Sequence, residues 1–179
     1  MAARIEEKIS LESAAAGNRY CTFVDPGHGL VAEIFPPAAT AGLEGHLEAL
    51  RRKCFYISRP GRLGFDQLAA QGNGPRGRLE LNCVNMICLL VSGLRRAGRG
   101  EDEVFVALAG VRGYLQYHAW ALVRREAGGC WWIDPVDLIA QPRGGRELLA
   151  RHDFYAIFND RRLAFTREEK RRLLEEEGS

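Results

Sequence analysis

The sequence predicts an α+β fold, with a central buried helix and further helices packed on one side of a small antiparallel sheet. Three observations predict it. Residues 83–96 are apolar on nearly every side, through Val84, Met86, Ile87, Leu89, Leu90, Val91 and Leu94, and a helix without a polar face belongs inside a domain. Three runs after it, 103–109, 116–125 and 130–134, read as strands, the last two joined by the hairpin loop Glu126-Ala127-Gly128-Gly129. Before it, Leu43, Leu47 and Leu50 recur at helical spacing.

Taken in order, residues 2–16 read as an amphipathic or loosely ordered opening. Residues 19–36 read as extended, broken at Asp25-Pro26-Gly27-His28-Gly29 and stopped by Pro36-Pro37. Thr40 then suits the cap of a helix running through Arg52. Phe55-Tyr56-Ile57 is a short apolar run that Ser58-Arg59-Pro60-Gly61 ends, and a weak helix covers 64–71. Turn-forming residues at 71–77 deliver the chain to the central helix, which closes with Arg95 and Arg96 in its last turn and Gly98 beyond. After the three strands come a short helix at 145–151, a strand at 153–158 and a terminal helix from about 167, opened by a Thr166/Glu169 capping box.

A chain of 179 residues, 46% hydrophobic and 27% charged, has the composition of an ordinary globular protein. A net charge of +2 argues against a dedicated nucleic-acid binder. No apolar run approaches the ~20 residues that span a bilayer. The start of the chain carries Glu6 and Glu7 where a signal peptide needs an apolar segment, so a cytoplasmic protein is expected. Five scattered cysteines without a CxxC pair are expected to be free and mostly buried. A zinc site from Cys83, Cys88, Cys130 and His118 lacks ligand spacing; no metal and no cofactor are expected.

The chemistry-bearing residues are Cys83, His118 and Asp134. Cys83 opens the buried helix, where partial positive charge and unpaired N–H groups favour a thiolate. His118 lies on the second strand and Asp134 ends the third before Pro135, which cannot continue a ladder. Thiol, imidazole and carboxylate together make an activated nucleophile. Singly, each has a bland reading: a core cysteine, a satisfied structural histidine, a turn-forming aspartate.

The triad carries a geometric condition. His118, Trp120, Leu122 and Arg124 share one strand face. A four-residue hairpin loop would pair Asp134 with Ala121, on the wrong face. An odd loop or a bulge pairs it with Trp120 instead, diagonal to His118 and within reach. For the oxyanion of a tetrahedral intermediate, the backbone N–H of Cys83 is one donor, and the amide of Gln71, Asn73 or Asn82 is a candidate second. Trp120, Trp132 and Tyr117 are candidate substrate-cleft residues, although the tryptophans also suit a core. His28, His46 and His152 read as solvated.

Asn82-Cys83 leading a helix that ends Gly93-Leu94-Arg95-Arg96-Ala97-Gly98, then His118-Ala119-Trp120-Ala121-Leu122-Val123, then Gly129-Cys130-Trp131-Trp132-Ile133-Asp134-Pro135, resembles the transglutaminase-like superfamily. The match covers roughly residues 78–136, with three motifs in order. The family residue before the cysteine is usually small, and Asn82 departs from that, which bears on the oxyanion donors rather than the triad. The resemblance implies a papain-like core and acyl transfer through a thioester. It implies one transglutaminase-like domain over 1–179: a mainly helical half at 1–77, a catalytic core at 78–165 and a C-terminal helix at 166–179. Arylamine N-acetyltransferases share the triad order, but their Gly-x-Cys approach is absent here.

Two function classes follow. One is a cysteine-dependent hydrolase, a peptidase or amidase acting on a peptide or protein substrate, or else an acyltransferase of transglutaminase type that passes the acyl group to an amine. The other is a non-catalytic domain that keeps the fold and binds a partner protein. Neither nucleic acid nor membrane is expected as a partner.

Overall fold

The structure, a computed structural model, describes residues 10–13, 20–37, 42–59, 61–74, 77–111, 117–143 and 152–165. Its strands are β1 (Ser10–Ser13), β2 (Cys54–Tyr56), β3 (Leu79–Leu81), β4 (Val104–Val111), β5 (Tyr117–Arg124), β6 (Cys130–Ile133), β7 (Ala140–Arg143), β8 (His152–Phe158) and β9 (Arg162–Phe165). Its helices are α1 (Gly29–Ile34), α2 (Gly42–Lys53), α3 (Phe65–Gln71) and α4 (Cys83–Arg96). Seven strands form one antiparallel sheet in the order β1-β9-β8-β4-β5-β6-β7, and β2 and β3 form a separate parallel pair. The fold is α+β, as the sequence predicts. Among the described residues no helix is long and apolar enough to cross a membrane.

The central helix is where the apolar run places it. From Asn85 to Leu94 every residue of α4 is buried, and the helix packs on β4 and β5. Alternation along β5 sends Ala119, Ala121 and Val123 into the main core with α4, while Trp120 joins Ala107, Ala109, Trp132, Phe154 and Ala164 in a second cluster. The helix ends on a close packing contact. A Cβ at Gly93 would lie 2.5 Å from the Phe35 ring, so only glycine lets α4 approach the end of α1 this closely. Beyond it, Arg95 pairs with Asp160 at 2.6 Å, and the fully buried Asn159 donates to the carbonyls of Glu101 and Val104.

Several expectations need correction. Residues 19–36 are not extended: Cys21–Phe23 form a 3-10 turn and α1 follows. The missed start signal is a histidine cap, in which His28 Nδ1 accepts from the Leu30 N–H at 3.1 Å while Nε2 meets Asp66 at 3.0 Å. The opening segment supplies β1, which pairs with β9. The strands β1, β3, β7 and β9 are three or four residues each, too short to show alternation. Pro142 fits β7 because that strand lies at the sheet edge. His46 is buried rather than solvated: Nδ1 donates to the Gly42 carbonyl at 2.7 Å and the ring packs on Phe35. Thr40, Tyr117's side chain, His152's side chain, the expected helix at 145–151 and the C-terminal helix at 166–179 lie outside what is described.

Candidate active site

Cys83 is the first residue of α4, and Asn82 is its cap. The Asn82 side-chain oxygen accepts from the Asn85 N–H at 3.0 Å, filling one of the donors that a helix start leaves open. Its Nδ2 donates to the carbonyl of Arg59 at 3.2 Å and to that of Gly61. Asn85 then exchanges hydrogen bonds with the Leu63 backbone, at 2.7 and 3.3 Å. Two asparagines therefore lace the segment 59–63 onto the start of the helix. This corrects the reading of Asn82 as an oxyanion donor, because both of its amide protons are committed to backbone carbonyls. Gln71 is exposed at the end of α3, its side-chain oxygen accepting from Arg59 at 3.3 Å.

The β5–β6 hairpin meets the geometric condition. Arg124 pairs with Cys130, and the register runs back through Leu122 and Trp132 to Ala121 and Ile133, so the loop is the five residues 125–129. Asp134, next after Ile133, falls on the His118 face. Its carboxylate lies 3.4 Å (Oδ1) and 3.3 Å (Oδ2) from His118 Nε2. These contacts are longer than the ~2.7–2.9 Å of tight charge-assisted bonds. The carboxylate is fixed from two further sides, Oδ2 accepting from the Trp120 indole N–H at 3.0 Å and Oδ1 from the Val136 N–H at 2.9 Å. Behind it the loop is pinned. Leu138 adopts φ 54°, strained for a branched residue, its N–H donating to the Asp134 carbonyl at 2.9 Å and its own carbonyl accepting from Arg51 at 2.8 Å.

The imidazole also senses the Cys83 thiol at the start of α4. Burial alone would lower the imidazole pKa. Hydrogen bonds to Asp134 and Cys83, with the charges of both, outweigh it and hold His118 at about 9. Burial pushes the Asp134 carboxyl up, but His118, the Val136 N–H and Trp120 together hold it below the usual carboxylate range.

Burial raises Cys21 to about 11, Cys54 and Cys88 to about 12, and Cys130 upward as well. Cys83 is half-buried at a helix start, whereas Cys54 and Cys88 are fully buried.

Trp120 and Trp132, expected as cleft residues, are 3% and 6% exposed. They stack behind the site, Trp120 edge-on to His118 at 4.8 Å and 4.7 Å from the Trp132 ring. They serve as its back wall, and Trp120 as a donor to Asp134, which the alternation of side chains alone did not reveal. The sequence also gave no sign that Tyr56 belongs here. It is half-buried at the end of β2, and its phenol feels the charges of Cys83 and Asp134.

No family model matches the chain, and no curated protein does. Among solved structures, two of Legionella pneumophila LapG are similar in fold. The EGTA-treated one is 11% identical at a TM-score of 0.49, over 77% of this chain and 73% of that one. The other is 13% identical at a TM-score of 0.49, over 81% and 78%. At these identities the likeness assigns no side chain a role.

Proposed function

We propose that this chain is a cysteine-dependent hydrolase of transglutaminase-like kind, cleaving a peptide-like amide through a thioester at Cys83. The observation that carries the reading is the His118–Asp134 pair, whose imidazole also responds to the Cys83 thiol. In the proposed reaction the Cys83 sulfur attacks the amide carbonyl carbon as its proton passes to His118. The C–N bond breaks and His118 returns the proton to the leaving amine. Water then attacks the thioester, His118 taking and returning its proton, which releases the acid and restores the thiol. Asp134 orients the ring and stabilises its charged form, as the carboxylate of such triads does. Trp120 and Val136 hold Asp134 in place. An amine arriving before water would turn hydrolysis into acyl transfer.

The test is the pH dependence of alkylation by iodoacetamide, resolved by cysteine with mass spectrometry, in the unaltered protein and in His118→Ala. The expected result is fast alkylation persisting below pH 7 at Cys83 and lost in the variant. Alkylation at Cys83 no faster than at Cys130, and indifferent to His118, would overturn the enzyme reading in favour of a partner-binding domain.

A further inference from the structure

We infer that Tyr56 is a catalytic residue of this site, its phenolic O–H donating to the carbonyl oxygen of the bound acyl group beside the Cys83 backbone N–H. The inference rests on the acyl-transfer reading of Cys83 and supplies the donor that reading lacks. Three observations carry it.

The first is position. The parallel pairing of β2 with β3 sets Tyr56 opposite Leu81, two residues before Cys83, and the Ile57 N–H extends the pairing to the Leu81 carbonyl at 2.8 Å. Both Tyr56 and Cys83 are half-buried and pack against the main core. The chain beyond Tyr56 is tied to the helix start through Arg59, Gly61 and Leu63, as described above. Tyr56 thus stands two register positions from Cys83, and the chain that follows it is tied to the start of α4.

The second is vacancy of role. Among the described residues no protein group hydrogen-bonds the Tyr56 hydroxyl, although the ring is half-buried. Asn82 is fully committed elsewhere and Gln71 is exposed.

The third is charge. Burial first, then the charges of Cys83 and then Asp134, raise the phenol above its ordinary range, so it stays an O–H donor at neutral pH. A tetrahedral oxyanion calls for preorganised donors. The Cys83 N–H, at the first helical position, has no acceptor within the helix and supplies the other.

Tyr56→Phe tests this with p-nitrophenyl acetate as the probe. Cys83 sulfur forms a bond to the acetyl carbon, the bond to p-nitrophenolate breaks, and the thiol proton goes to His118. Iodoacetamide on the same samples is the control, because displacement of iodide develops no oxyanion. The expected result is acetylation of Cys83 slowed by about 10²-fold, the usual cost of one lost oxyanion donor, with alkylation within about twofold of the unaltered protein. Unchanged acetylation overturns the role of Tyr56 alone. Equal losses in acetylation and alkylation also overturn it, because they mark a ring that only shapes the site. Failure of the unaltered protein to acetylate at Cys83 overturns the acyl-transfer reading, and this inference falls with it.

Discussion

The two ends of α4 do different work. At its first residue the helix is polar, capped by Asn82, laced to residues 59–63 and half-open at Cys83. Ten residues on, at Gly93, it is closed against Phe35 without room for one methyl group, then locked by the Arg95–Asp160 pair. One end presents a thiol and the other fixes where that thiol sits. The contrast teaches that rigidity at the closed end and reactivity at the open end are properties of a single rod. Changes at the two ends should therefore separate stability from chemistry.

The largest expected effect is at the closed end. Gly93→Val drives a branched side chain into the buried Phe35 ring. Overpacking of this kind costs about 3 kcal/mol. For a chain of this size that lowers Tm by roughly 6–12 °C, at about 2–4 °C per kcal/mol. Below that temperature Cys83 should keep its selective alkylation. Loss of selectivity while circular dichroism still reports a folded chain would break the proposed division.

Asn82→Ala, at the open end, should do both things. Losing the cap costs about 1 kcal/mol. Releasing the carbonyls of Arg59 and Gly61 loosens the strip that carries Tyr56 towards Cys83. Acetylation should therefore fall more than stability predicts. A variant equally stable and equally reactive would remove Asn82 from both accounts.

A further effect lies in the pH dependence of stability. The folded His118 pKa, about 9, exceeds its ordinary 6.5. Its contribution is fully present below pH 6.5 and fades as pH rises through 9. Asp134 is depressed, so its contribution is present above its ordinary 3.8 and is lost as pH falls through its lower folded value. The Tm difference between the unaltered protein and His118→Ala should accordingly be larger at pH 6 than at pH 10. A constant difference would mean that the imidazole gains no stabilising partner on folding.

The sequence made the central helix and the β4–β5–β6 strands legible because their signals are local: an unbroken apolar run, basic residues before Gly98, alternation along 117–124. The odd loop between β5 and β6 followed from the same alternation, once Asp134 was required to face His118. What stayed hidden depends on distant partners. Tyr56 comes to the approach of α4 only through parallel pairing of β2 with β3, across the whole of α3. The burial of His46 comes from Phe35, on a different segment. Asn82 was noticed for its amide, but where that amide points depends on carbonyls more than 20 residues earlier.

The outermost strand of the large sheet bears on the order of assembly. β1 joins only β9 among the described strands, with Ser10 opposite Phe165, so the first described strand has for its partner the last. During synthesis β1 waits unpaired until residues 162–165 have emerged, and closing so long a loop is entropically a slow kind of contact to form. His118 and Asp134 are only 16 positions apart, on one hairpin and just past its end. The pairing of His118 with Asp134 can therefore exist in the nascent chain well before the sheet's edge is sealed.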